Sequence, residues 1–225
     1  MRPEPFLVGL DLGQSADPTA LAVLEKEPVL DDAGEPTRDG RNHPLAAYNV
    51  VHLERYPLGL SYPDMVERVA ELLRRPAMQA RGRPQLAIDA TGVGRAVVDM
   101  FKEAYRRGEF GNYRPRPVTI TAGEQPRGLH VPKRDLVATV QSLLQTGSLK
   151  IAETLELADV LTSELLAFRA KISRTGHDTY EAWRESDHDD LVLALALACW
   201  YKNPFAPPRY VTREGDVVEY AWLGK

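Results

Sequence analysis

Apolar positions along this chain follow two periods. Phe6 to Leu10 (FLVGL) and Thr19 to Leu24 (TALAVL) are short apolar runs joined by the turn-rich GQSADP, and Ala46 to Arg55 reads as a third strand. The chain therefore opens on a predicted antiparallel meander. Glu27 to Pro44, crowded with Pro, Gly, Asp and Arg, predicts an exposed loop or hairpin tip. Ser61 with Asp64 makes a capping-box start, after which Val66, Val69, Ala70, Leu72 and Leu73 keep helical spacing up to Pro76. Gln85 to Ile88 and Pro117 to Thr121 read as strands on either side of a helix from Val93 to Arg107, which Gly108 ends. Pro132 starts a helix with the stripe Leu136, Val137, Val140, Leu143 and Leu144, stopped by Gly147, and Leu155 to Phe168 gives another. A strand pair is predicted around Ala170 to Trp183, then the acidic patch Glu181, Glu185, Asp187, Asp189 and Asp190, then an apolar helix to about Tyr201. Pro204, Pro207 and Pro208 mark a boundary, so 1–203 reads as one domain and 204–225 as a tail with a hairpin turning at Glu214 to Asp216.

Three strands followed by alternating strands and helices predict an α/β fold, a mixed central sheet with helices on both faces. If the first strand lies parallel beside Gln85 to Ile88, Asp11 and Asp89 emerge side by side at the carboxyl end of the sheet. Composition agrees with one domain: of 225 residues, 44% are hydrophobic and 27% charged. The single cysteine, Cys199, sits in an apolar run and gives no disulfide framework. No secretory leader is visible and Leu191 to Tyr201 is too short to cross a bilayer, so a cytoplasmic protein is expected.

Asp11, Asp89 and Asp190 each end or open a hydrophobic element, which draws their carboxylates toward the core edge. Converging carboxylates repel one another, and hard divalent cations with oxygen ligands relieve that cost. Two such ions would clamp a phosphodiester, so hydrolytic phosphoryl transfer fits the residues. Zinc does not fit, since the five histidines are scattered and show no HExxH arrangement. Each acid also has a local alternative: a turn before Gly13 for Asp11, an Asx turn before Thr91 for Asp89, and a helix cap for Asp189 and Asp190, a role Ser186 would share. None of these accounts for the acids together. Gly92 and Gly94 allow a sharp turn into a helix whose free N–H groups would face a phosphate, or serve only the helix start.

GLDLGQSADPTALAVLE, IDATGVGRAVVDMF, VPKRDLVATVQSLLQTGSLKI and SDHDDLVLALALA, taken in order over roughly Phe6 to Trp200, resemble the nuclease domain of tailed-phage terminase large subunits. That family lies within the ribonuclease H-like superfamily, which also holds Holliday-junction resolvases. The resemblance implies a two-metal Mg2+ or Mn2+ endonuclease that cuts double-stranded DNA with little sequence preference during genome packaging in the bacterial host's cytoplasm. It implies an ATPase motor, a portal and a small terminase subunit as partners. Asp11 matches the first-strand acid, Asp89 the acid before TGVG, and Asp190 the acid of the last helix, with Asp189 an alternative ligand and Asp187 a weaker candidate. Lys133 and Arg134 open the helix in the VPK block, where a cation would position DNA, or form a solvated charge pair.

No GxxxxGK[ST] occurs in these 225 residues, so the motor's phosphate loop is absent from them. Either a nuclease domain taken from a longer chain or a stand-alone nuclease is consistent with that. Three other readings compete: a junction resolvase, an actin-like ATPase or sugar kinase sharing the DLG strand, and a scaffold that keeps the fold without cutting. The net charge of −4 and absence of a base-reading motif predict weak, nonspecific binding of the chain alone to duplex DNA. Affinity should fall roughly tenfold between about 50 and 200 mM salt in a fluorescence-anisotropy titration. Nanomolar binding that persists at high salt would contradict this.

Overall fold

The computed structural model describes residues 5–13, 17–40, 42, 44–82, 84–92, 94–110, 115–121, 129–174, 189–201, 210–211 and 217–218. The meander is formed by β1 (Leu7–Asp11), β2 (Ala20–Pro28) and β3 (Ala46–Arg55). Then come α1 (Tyr62–Arg74), α2 (Pro76–Gln79), β4 (Gln85–Asp89), α3 (Gly94–Arg106), β5 (Arg116–Thr121) and β6 (His130–Pro132). The remaining elements are α4 (Lys133–Gln145), β7 (Leu149–Ile151), α5 (Ala158–Arg174), α6 (Asp190–Tyr201), β8 (Tyr210–Val211) and β9 (Val217–Val218). Seven strands make one mixed sheet in the order β6-β5-β4-β1-β2-β3-β7, while β8 and β9 pair apart from it. Only β2 runs against its neighbours: β1 is parallel to β4, β4 to β5, β5 to β6, and β3 to β7.

The period of two along each strand sorts side chains onto two cores. Val8, Leu10, Leu21, Val23, Leu86 and Ile88 pack under α1 and α3. Leu7, Ala20, Ala22, Leu24, Leu53 and Ala87 face α4, α5 and α6. Ser61 caps α1, its Oγ accepting from the Asp64 amide at 3.3 Å and donating to Asp64 Oδ2 at 2.7 Å.

Helix α6 is apolar all round, as a helix inside a core must be. Leu191 to Cys199 are 0–1% exposed except Leu193, which is partly buried. It lies between the sheet and α4 and α5, and the strands beneath it carry small residues: Gly9, Ala20, Ala22 and Ala87. At Gly9 the approach is so close that a Cβ would meet the Ala194 carbonyl oxygen and stand 2.7 Å from the Ala198 amide nitrogen. Both obstacles are backbone and cannot rotate aside.

Several elements depart from the sequence reading. β6 and β7 are three-residue strands that join the two edges of the sheet, and three residues are too few to show a period. The Glu27 to Pro44 segment is part strand and part hairpin, with bridges Leu30 to Pro36 and Arg38 to Pro44. The strand pair expected around Ala170 to Trp183 is corrected in its first part, because α5 continues to Arg174. Extending an established helix adds a hydrogen bond for each residue fixed, which outweighs the weak strand preference of one Ile. Residues 175–183 of that reading, and the hairpin turn at 214–216, lie outside the described residues.

Replacing Gly9 by Ala should destabilise the fold by about 1–3 kcal/mol or more through overpacking against α6. Gly40, whose added Cβ would meet nothing within 4 Å, is the control, and Gly40→Ala should stay within about 0.5 kcal/mol. Urea midpoints of the two variants check this; equal midpoints would show that α6 does not seat on β1 as described.

Candidate active site

Asp11 closes β1 and Asp89 closes β4, and the two strands are in parallel register with Leu10 opposite Ile88. The next residue on each strand is therefore an acid, side by side. Counting by twos, Leu7, Gly9 and Asp11 share one face, and Ala87 and Asp89 share it too. This is the α6 face, so both carboxylates project toward the start of the helix that carries Asp190. Asp11 and Asp89 are each 8% exposed and Asp190 is 6% exposed. Acids from three elements far apart in sequence thus meet at one end of the sheet, at the rim of the core.

Their electrostatics show the crowding. Burial lifts the Asp11 carboxyl well above the ordinary carboxylate range, and the charges of Asp89, Asp190 and Asp189 lift it further. Burial also raises Asp89, opposed by hydrogen bonds from Thr91 and by the Lys133 ammonium. The Thr91 amide donates to Asp89 Oδ1 at 2.7 Å, so the Asx turn expected there exists and serves the buried acid rather than replacing its role in the cluster. Thr91 is itself anchored on β5, its Oγ1 accepting from the Ile120 amide at 2.7 Å.

Cations approach from two sides. Lys133 opens α4, and its Nζ donates to Asp189 Oδ2 at 3.3 Å with the lysine side chain 15% exposed. Arg55 ends β3 on the α6 face, two residues beyond Leu53, and its Nη2 donates both to Asp190 Oδ2 at 3.3 Å and to Glu164 of α5. Glu164 is buried and also accepts the Leu191 and Val192 amides on Oε2 at 3.1 and 3.2 Å. Those two amides in the first turn of α6 are the ones an N-cap side chain ordinarily serves. The cap expected from Asp189 or Asp190 is thus supplied by a residue from another helix. Burial raises the Glu164 carboxyl to about 7, with the Asp190 and Asp189 charges adding to it, against the pull of Arg55.

The site residues expected from sequence therefore divide clearly. Asp11, Asp89, Asp189, Asp190 and Lys133 come together. Arg134 is on the same helix start, half-buried, with its Nε 3.7 Å from Asp135 Oδ1. Gly92 is exposed at φ +81 in the turn from β4 to α3, a conformation that glycine adopts without strain, and Gly94 is the first residue of α3. Asp187 lies outside the described residues. Arg81 pairs with Glu25 and Glu27, Arg106 at the end of α3 with Glu103, and Arg107 just after it with Glu109. They lie where β4 begins and α3 ends, opposite the acids.

Sequence reasoning missed Glu164 and Arg55. A signal existed for the first: Leu161, Glu164 and Leu165 share one face of α5, so a charge stands in a core register. Among the described residues no three acids are drawn tightly enough to enclose an ion as the side chains stand, because Asp190 leans on Arg55 and Asp189 on Lys133. The donor set is nonetheless all oxygen and crowded with like charge, which suits a hard divalent cation. Turning an aspartate takes two side-chain torsions and no backbone change.

A mixed sheet in this order, with helices on both faces and adjacent strand-end acids, is the ribonuclease H-like α/β fold. Residues 8–202 match the family described as the terminase RNaseH-like domain, and the chain belongs to that family. Its fold is similar to the large terminase nuclease from thermophilic phage G20c, with a TM-score of 0.51 and 21% identity over 86% of this chain and 80% of that one. It is similar also to the human cytomegalovirus terminase nuclease domain, with a TM-score of 0.52 and 14% identity over 89% and 84% of the two chains. A Mn-soaked, inhibitor-bound form of the cytomegalovirus domain gives a TM-score of 0.50 and 14% identity over 87% and 81%. No curated protein matches the chain significantly. Among the described residues no helix is long and apolar enough to cross a membrane.

A carboxyl raised in the folded protein binds its proton more tightly there than in the unfolded chain, so it favours folding as pH falls toward its unfolded value. For Glu164 that window runs from 4.5 up to about 7, and the shift of Asp11 has the same sign. In chelator, stability should therefore rise as pH is lowered from about 7.5 to 5, by up to about 1.4 kcal/mol per pH unit from Glu164, with Asp11 acting in the same direction. Asp11→Asn should flatten that slope and raise the melting temperature at neutral pH. An unchanged slope would show that Asp11 is not proton-hungry in the fold.

Proposed function

We propose that this chain is the nuclease part of a phage DNA-packaging terminase, cutting double-stranded DNA by divalent-metal-assisted phosphodiester hydrolysis with little sequence preference. The observation that carries the reading is the meeting of buried acids from β1, β4 and α6 beside Lys133, in a chain of the terminase RNaseH-like family. A fold relative solved after Mn soaking, the cytomegalovirus terminase nuclease domain, supports the choice of cation. Asp11, Asp89 and Asp190, with Asp189, would hold two Mg2+ or Mn2+ ions. When bound, such ions activate a water and stabilise the leaving oxygen of an in-line displacement.

The chain's own residues supply the rest. Asp11 feels the charges of both Asp89 and Asp190, so its carboxylate would help to hold the ions together with theirs. The Thr91 amide fixes the rotation of Asp89. Lys133, drawn to Asp189, would offer a positive charge to the scissile phosphate, and Arg134, the next residue of α4, would add to it. The turn at Gly92 and the start of α3 at Gly94 offer backbone N–H groups to a neighbouring phosphate. The ATPase motor, portal and small terminase subunit are the partners this role requires, within the host cytoplasm.

Asp11→Asn and Asp190→Asn should each lower Mg2+- or Mn2+-dependent cleavage of linear duplex DNA by orders of magnitude while leaving a cooperative fold, because Asn cannot supply the charge that holds a divalent ion. Asp189→Asn should lose less than Asp190→Asn. EDTA should silence the wild type, Mn2+ should restore it, and Ca2+ should bind with little turnover. Full activity in Asp11→Asn would remove the acid cluster from the mechanism. Preferential cutting of a four-way junction over linear duplex would reassign the chain to junction resolution.

A further inference from the structure

One half-buried charge pair has no part in the proposed chemistry, Arg55 with the buried Glu164. Arg55 is shared between two acids, so where its charge rests decides how strongly it holds Asp190. Glu164 reaches the site from α5, 109 residues from Arg55 along the chain, and its two oxygens divide their work. Oε2 takes the Leu191 and Val192 amides, which fixes the start of α6, while Oε1 takes the guanidinium. Asp190 Oδ2 receives the longer of the two Arg55 contacts, 3.3 Å.

We propose that Glu164 is a positioning residue of the acid site: it caps α6 so that Asp189 and Asp190 need not, and it holds the Arg55 charge so that Asp190 stays available to a divalent cation. The proposal rests on the metal-nuclease reading and adds to it a reason why a cation stands inside a cation-binding cluster. Without the Glu164 charge, Arg55 competes directly for Asp190, both as a hydrogen-bond donor and as a like charge to the incoming ion. Residues that orient metal ligands in this indirect way ordinarily matter by about 10- to 100-fold in affinity.

Glu164→Gln isolates the charge from the cap. The amide oxygen can still accept from the α6 amides, while its NH2 then faces Arg55, donor against donor, and Arg55 turns to Asp190. At about pH 8, Mn2+ affinity, measured by calorimetry and by the Mn2+-induced rise in melting temperature, should weaken at least about tenfold in Glu164→Gln. Arg55→Gln should bind Mn2+ at least as tightly as the wild type. The double variant Arg55→Gln with Glu164→Gln should return to within about threefold of the wild type, a recovery that a purely structural role would not give. Unchanged affinity in Glu164→Gln, or no recovery in the double variant, overturns the proposal. If Glu164→Gln does not fold, Arg55→Gln decides alone, and weakened Mn2+ binding there overturns it. A wild type that binds no Mn2+ removes the metal reading and this proposal together, whereas a wild type that binds Mn2+ with Glu164→Gln unaffected removes this proposal only.

Discussion

The contact on which the rest depends is the seating of α6 on the sheet. An all-apolar helix can lie between two layers only if the surface beneath it is low, and the residues under α6 are glycine and alanine where the strands cross its path. Gly9 is the tightest point, with the backbone of α6 occupying the space a side chain would need. Two residues further along the same face stands Asp11. The approach that fixes the helix depth therefore also fixes how far Asp190 lies from the strand-end acids, so packing and site geometry have a common cause.

The acids themselves oppose this arrangement. Burying several carboxylates together costs desolvation and mutual repulsion, and the raised Asp11, Asp89 and Glu164 carboxyls are the mark of it. The large core on both faces of the sheet offsets that cost. Lys133 and Arg55 reduce it locally, each by reaching one acid of the α6 start from a different element. A divalent cation would offset the remaining repulsion, and the rise in stability on binding it would grow with its concentration relative to its dissociation constant.

The acid cluster, the β4–α3 turn and the start of α4 occupy the same end of the sheet because strand polarity puts them there. β1 and β4 deliver carboxylates at their carboxyl ends, and the β4–α3 turn and the start of α4 arrive at that end too. The other end carries ion-paired arginines on its rim, Arg81, Arg106 and Arg107, whose charges are matched by nearby glutamates. Among the described residues, one end of the sheet thus gathers buried acids whose charges crowd one another, while the arginines of the other end are paired with exposed or half-buried glutamates.

What the sequence determined by itself is local. The alternation in FLVGLD and QLAID marks two strands ending in acids, and the apolar run after Asp190 marks a buried helix, because periods of two and of 3.6 are written in adjacent residues. Asp11, Asp89 and Asp190 were legible for that reason. Tertiary structure alone decided which residues complete the cluster. Arg55 looks like the polar end of a strand and Glu164 like one charge on an amphipathic helix, and only the stacking of β3, α5 and α6 brings them to one carboxylate. The cap of α6 could be sought in sequence only among its own neighbours, because capping rules count along the chain, whereas the oxygen that satisfies those amides comes from a helix folded against it. Short edge strands such as β6 and β7 were hidden similarly, since three residues acquire strand character only from the partner they pair with.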